Sequence, residues 1–389
     1  MLRSSILTAT SATRPILPRA PATSLILRSF ATTRYAAASP STRAEADVTK
    51  GMEGPHRNDE RLSKAHTTPQ HFKGRPIDSP STGTSAMPTG DWVMMHPVYT
   101  RDEVDSVQVI HRPAKSMSDH AAQFFVKCLR FGFDLVSRYR HKPLTPEASR
   151  LSLEDMRKQG YAMTPEQWLM RCIFLETVAG VPGMVAGTLR HLRSLRLMRR
   201  DGGWIHTLLE ESENERMHLM TFMTLKKPSI IFRAGVLGAQ GIFYNAFFFA
   251  YLISPRTAHR FVGTLEEEAV KTYTLAIEDM ENGRLPEWAA APAPEIAIDY
   301  WRMNKDATLL EVIRNIRADE ATHRFVNHSL ANLNQQEDVN PFAFREPDMQ
   351  LKGKSFGLER PEAAEFVRST QKILSEGKTT DAPLEKAHP

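Results

Sequence analysis

Glu215 and His218 stand three residues apart in "ENERMHLM" (213–220), and Glu320 and His323 repeat that spacing in "RADEATHRFVNH" (317–328). Positions i and i+3 share a helix face, so each pair sets a carboxylate beside an imidazole. Such mixed oxygen and nitrogen donors suit a first-row transition metal. The pattern is short, and composition alone would supply roughly one copy, so a single match carries little weight. The chain has four. Glu53/His56 encloses Pro55 in a polar stretch rich in Gly and Pro, and Glu385/His388 lies in "DAPLEKAHP" at the far end. Neither belongs to a helix-forming run. The other two do.

A carboxylate-bridged di-iron site in a four-helix bundle takes one Glu from each of two helices and a Glu-x-x-His from each of the other two. The missing glutamates should come from the helices that precede each pair. Glu176 is the only acid in "RCIFLETVAGVPGMVAGTLR" (171–190), where a lone carboxylate is costly unless paired or bound to metal. On the other side "LEEEAV" (265–270) offers Glu266, Glu267 and Glu268, among which helical phase favours Glu266 only weakly and does not fix the ligand. The order is then Glu, Glu-x-x-His, an apolar helix without ligands, Glu, Glu-x-x-His.

The elements that must position these groups are helices. "DHAAQFFVKCLRFGFDLVSRY" (119–139) is one, and a long one runs from about Thr164 to Arg200, with a kink expected at Pro182. "DGG" (201–203) ends it before "WIHTLLEESENERMHLMTFMTL" (204–225). An apolar helix follows Pro228-Ser229, and Ser254-Pro255 caps the next. "KDATLLEVIRNIRADEATHRFVNHSLANL" (305–333) is the last, with Asp306 as expected N-cap. No alternating β pattern of useful length appears, so the expected fold is all-α, with residues 116–333 as the bundle domain.

The flanks differ. Residues 1–44 hold no Asp or Glu but carry Arg3, Arg14, Arg19, Arg28, Arg34 and Arg43 among Ser, Thr and Ala, the composition of a mitochondrial transit peptide. Residues 45–115 read as a flexible N-terminal arm and 334–389 as a polar C-terminal tail, with one short helix expected near residues 361–375. Two cysteines, Cys128 and Cys172, are too few for a disulfide framework or a C-x-x-C zinc site. The net charge of +5 owes much to the arginine-rich start, so no nucleic-acid partner is expected.

Taken in order, "LETVAGVPGM" (175–184), "NERMHLM" (214–220), "LEEEAV" (265–270) and "RADEATHR" (317–324) resemble the mitochondrial alternative oxidases, fungal type, over about residues 120–333. The resemblance implies a ferritin-like di-iron four-helix bundle with additional helices. The implied activity is cyanide-resistant, non-electrogenic oxidation of ubiquinol with reduction of O2 to water. It implies two irons per chain on Glu176, Glu215, His218, Glu266, Glu320 and His323, and supports Glu266 within its acidic triplet. A quinol pocket is implied among Arg130, Asp134, Arg171, Leu175, Ala269 and Thr272. Tyr273, on the Glu266 face, is the implied catalytic tyrosine. Asn214, His259, Trp301 and Asp319 fall at positions that tune the metal ligands by hydrogen bonding. Thr322 departs from the family, many of whose members place a second His there. The competing readings are another ferritin-like di-iron enzyme, such as a quinone hydroxylase, and a non-catalytic iron-binding protein at a membrane surface.

Residues 234–255, between Arg233 and Arg256, are long enough to span a bilayer, and 172–189 nearly are. Spanning would drag the charged ligand-bearing helices into lipid beside them, at several kcal/mol per charge. A monotopic arrangement on one leaflet avoids that cost. "LRHLRSLRLMRR" (189–200), with leucines between arginines, suits an anionic surface. The expected location is the matrix side of the mitochondrial inner membrane. Its lipid, ubiquinol, O2 and a second copy of the chain are the expected partners.

Overall fold

A computed structural model of the chain describes residues 98–137 and 144–375, together with 71, 72, 96 and 142. The chain divides into Met1–Arg57, none of which is described, and Asn58–Pro389, which holds everything reported below. The expected transit peptide and most of the expected arm therefore lie outside the described residues. Among those residues strand pairing is confined to a two-residue antiparallel ladder, β1 (His71–Phe72) with β2 (Arg345–Glu346), and one isolated bridge, Pro292 to Thr308. The rest is helical or irregular, as an all-α fold requires.

In chain order the helices are α1 (Arg101–Asp105), α2 (Met117–Ser137), α3 (Leu153–Gln159), α4 (Pro165–Leu197), α5 (Trp204–Leu225), α6 (Ile230–Ile253), α7 (Pro255–Glu281), α8 (Pro286–Ala289), α9 (Glu295–Trp301), α10 (Leu309–Asn332), α11 (Met349–Lys352) and α12 (Arg360–Ser375). Their starts follow local chemistry. Thr164 accepts from the Gln167 N–H and Pro165 takes the first turn of α4, where its missing donor costs nothing. Ser254 and Pro255 do the same for α7. Gly202 and Gly203 turn the chain into α5 with φ of 68° and 85°, a region that disfavours side chains. One expectation is corrected, at the start of α10. That helix is capped by Thr308 rather than Asp306, the Thr308 N–H donating to the Glu311 carboxylate at 2.8 Å, while α4 continues as one helix with Pro182 inside it.

Four helices form the bundle, α4 packing along α5 and α7 along α10. Gly183 permits the first pairing, because a Cβ there would lie 2.4 Å from the Leu208 carbonyl oxygen. Two apolar clusters fill the interior. One gathers Ile173, Phe222, Tyr273 and Ile316, the other Val185, Leu208, Val262 and Phe325. Along every bundle helix a glutamate lies between its two members of this set: Glu176, Glu215, Glu266 and Glu320. The order of the clusters also makes α5 and α7 parallel to one another, so α6 must carry the chain back along the bundle as the crossover. The apolar window of α6 is only 17 % buried, against 56 % for that of α4.

The flanking expectations also need correction where the structure describes them. From the presumed arm, His96, Val98, Tyr99, Val104 and Val107 are buried. From the presumed tail, Phe342, Arg345, Met349 and Lys352 are buried too, and α12 packs on α10. These segments look polar because their few apolar residues are widely spaced, yet each one seals the outer face of α10. Arg324 on that helix ties both flanks together, donating to the carbonyls of Gln108, Lys352 and Gly353 at 2.9, 3.2 and 3.0 Å.

Candidate metal centre

All six sequence-derived ligand candidates converge. Glu176, Glu215, His218 and Glu320 form one group, and Glu215, Glu266, Glu320 and His323 a second, each with its donor atoms within 4.8 Å of one another. Glu215 and Glu320 belong to both. That is the geometry of two adjacent cation positions joined by shared carboxylates. Every member is buried.

The donor atoms crowd one small region. His323 Nδ1 lies 2.7 Å from Glu215 Oε1, and His218 Nδ1 lies 3.3 Å from Glu320 Oε1 and 3.4 Å from Glu176 Oε2. Even so, both Nδ1 atoms, both Glu215 oxygens, Glu176 Oε2 and Glu320 Oε2 make no hydrogen bond. Buried polar atoms are rarely left so. Four buried carboxylates outnumber the two imidazoles, so in their ionised, ligating form they would leave negative charge uncompensated, which is expensive in a dry interior. Metal cations relieve both costs, and a carboxylate and imidazole set without thiolate suits iron.

Protonation reflects the same crowding. Burial, and then the neighbouring carboxylates, push Glu176 and Glu266 well above the usual carboxylate range. Glu215 is also desolvated, but the imidazoles of His218 and His323 close beside it outweigh burial and hold it low. Burial acts against charge on His218 and His323, and the surrounding carboxylates reverse it and raise both. Ligands must shed such protons before binding metal.

Around this cluster lie partners that fix its orientation. Asp319 Oδ2 accepts from His218 Nε2, Asn214 Nδ2 and Trp301 Nε1, each at 3.0 Å. With Nε2 donating, His218 turns its Nδ1 lone pair to the centre. Tyr273 donates its hydroxyl to Glu176 Oε1 and stacks on Phe222 at 6.3 Å. Burial first, then Glu176, push the Tyr273 phenol well up, so it keeps its proton. His259 sits farther out, its Nδ1 3.0 Å from Asn327 Oδ1, while Asn327 Nδ2 donates to Glu211 at 2.7 Å. The sequence reading did not single out His96, Tyr99, Tyr300, Glu211 or Asn327. "HPVY" (96–99) sits in a stretch without periodicity, and only its density of ring side chains set it apart.

A cavity of about 1100 Å³ leads to the cluster, with Glu176, Glu266, Tyr273 and Glu320 at its inner wall. Arg130, Arg171, Leu175, Ala269 and Thr272 line it. Asp134 stands behind the lining, 3.2 Å from Arg130 Nε and 3.6 Å from Arg171 Nη1. The Arg171 guanidinium lies 4.8 Å above the Phe133 ring.

The family model for alternative oxidase matches residues 99–332, which contain the whole bundle and all six converging residues. The chain belongs to the alternative oxidase family. A curated relative from Cryptococcus neoformans var. grubii, named "Alternative oxidase, mitochondrial", is 52% identical over 330 residues, covering 84% of this chain and 78% of the relative. A relative of the same name from Emericella nidulans is 54% identical over 276 residues, covering 69% and 75%. The corresponding protein from Ajellomyces capsulatus is 52% identical over 269 residues, covering 68% and 74%. His96 lies just before the matched region.

Proposed function

We infer that this chain is a mitochondrial terminal oxidase that oxidises ubiquinol and reduces O2 to water at a non-haem di-iron centre, without pumping protons. The observation that carries this reading is the pair of four-residue groups sharing Glu215 and Glu320 at the inner end of an apolar cavity. Family membership supports it. Glu176, Glu215, His218, Glu266, Glu320 and His323 would hold two irons per chain. When bound, these supply the redox chemistry that takes four electrons from two quinols to one O2.

The remaining roles fall to the side chains around the cavity. The quinol ring enters between apolar walls, with Arg171 hydrogen-bonding a ring oxygen while Asp134, held by Arg130, keeps the guanidinium in place. Leu175, Ala269 and Thr272 bound the ring. Tyr273, between the cavity and Glu176, is suited to give up a proton and an electron during turnover, because burial otherwise keeps its proton on. Asn214, Trp301 and Asp319 hold His218 in one orientation, and His259 braces α7 against α10.

The chain lies on the matrix side of the inner membrane, as the family resemblance implies, and association with one leaflet is supported by the outward apolar side chains. Phe124, Phe131 and Leu135 on α2 and Ile231, Leu237 and Ile242 on α6 are exposed. A homodimer is what the family resemblance implies. The deciding experiment measures oxygen uptake by the purified, iron-loaded full chain with a short-chain ubiquinol. Two quinols consumed per O2, with unmodified quinone as product, is the expected result. A hydroxylated quinone would make the chain a quinone hydroxylase, and no quinol-dependent uptake by iron-loaded protein would refute an oxidase role.

A further inference from the structure

Asp319 receives more than the three contacts that reach Oδ2. Its other oxygen, Oδ1, accepts from the Tyr99 hydroxyl at 2.7 Å and lies 3.0 Å from His96 Nε2. Both partners come from one short segment that runs past the end of α9. The His96 ring is held edge-on by Tyr300, with centroids 4.6 Å apart, and its carbonyl accepts from Arg302 Nη1 at 3.2 Å. It is buried, 8 % exposed, although the sequence around it is polar.

We propose that His96 is a positioning residue for His218, acting through Asp319. The inference rests on reading the six converging residues as an iron site. A carboxylate held through one oxygen can swing about its Cβ–Cγ bond. Held through both, it is locked. Tyr99 and His96 fix Oδ1, so Oδ2 stays on His218 Nε2 and the imidazole keeps its Nδ1 turned toward Glu176, Glu215 and Glu320. Outer partners of this kind orient a ligating imidazole and raise its basicity. Together they make the segment around 96–99 part of the metal site, although His96 precedes the region matched by the family model.

The test uses the full-length, iron-loaded protein and follows transfer of iron to a colorimetric Fe(II) chelator. His96→Phe keeps a ring against Tyr300 and Trp301 but removes the donor. It is expected to release iron roughly ten-fold faster than wild type, the lower end of what loss of such partners costs. His96→Gln, which restores an N–H donor, should return the rate to within about two-fold. In an Asp319→Asn background His96→Phe should change nothing further. The thermal midpoint of iron-free protein separates misfolding from mispositioning, and Tyr99→Phe, on the same oxygen, carries the test if His96→Phe does not fold. Release at the wild-type rate, an undiminished effect in the Asp319→Asn background, or no rescue by Gln would overturn the proposal. Wild-type protein that binds no iron would instead overturn the metal assignment beneath it.

Discussion

Replacing Arg171 with Ala tests the quinol route directly. The side chain is buried on α4, five residues before Glu176, and lines the cavity. Its guanidinium faces Phe133, which stacks on Phe174 at 5.3 Å, so the cation is presented along an aromatic wall. A charge-assisted hydrogen bond from it to a quinol oxygen is worth about 1.5–3 kcal/mol. At about 1.4 kcal/mol per decade, its loss lowers kcat/KM roughly 10- to 150-fold. Collateral damage should be small, because Arg130 still holds Asp134 at 3.2 Å and also bonds Glu268 at 2.9 Å. Iron content should not change, since the guanidinium supplies no donor to the cluster. Lysine should rescue in part, having the charge without the planar fork. The assay is quinol-dependent oxygen uptake, with iron measured on the same preparation. Wild-type kcat/KM in Arg171→Ala would place quinol binding elsewhere, and loss of iron would make the residue structural.

Four further outcomes are expected. Glu215→Ala and Glu320→Ala, which remove residues common to both groups, should abolish turnover and lose both irons by elemental analysis, whereas Glu176→Ala and His323→Ala should retain more. Gly183→Ala should lower the thermal midpoint in detergent by the equivalent of about 1–3 kcal/mol, because its Cβ would meet the Leu208 carbonyl. Burial pulls His259 down to about 4. An unfolded histidine titrates near about 6.5, so below that pH the unfolded state takes up a proton the folded state refuses, and stability falls toward pH 4 by up to roughly 3 kcal/mol. Thermal midpoints from pH 7 to 4.5 should show this slope, and His259→Gln should flatten it. Finally, protease added to the outer face of intact inner-membrane preparations should leave both ends of the mature chain uncut; cleavage from that face would refute the one-leaflet reading.

How much of the site was legible depended on periodicity. Glu215/His218 and Glu320/His323 each lie on one helix, where spacing alone sets the shared face, and Glu176 stood out as the one acid in an apolar run. Glu266 was separable from Glu267 and Glu268 only weakly by helical phase. The structure gives all three different surroundings: Glu266 faces the cluster, Glu267 accepts from His328 Nε2 at 2.9 Å, and Glu268 pairs with Arg130. Cap chemistry is equally local, so Ser254-Pro255 is readable in the sequence, whereas Asp306 and Thr308 are both able to cap and only the fold selects Thr308.

By itself, then, the sequence determined what the chain's short-range physics controls: helices, their order, the residues on each inward face, and the metal chemistry those faces permit. The tertiary structure alone decided what depends on contacts between distant segments. That includes Tyr99 reaching Asp319 across 220 positions, Tyr273 meeting Glu176 across 97, and Arg324 gathering the two flanks. It also decided that the residues around 96–112 and 334–375 are integral rather than loose. Outside α12, whose buried Ala363, Phe366 and Thr370 keep helical spacing, the anchors are single buried side chains at irregular intervals, and no period in the chain records where they dock.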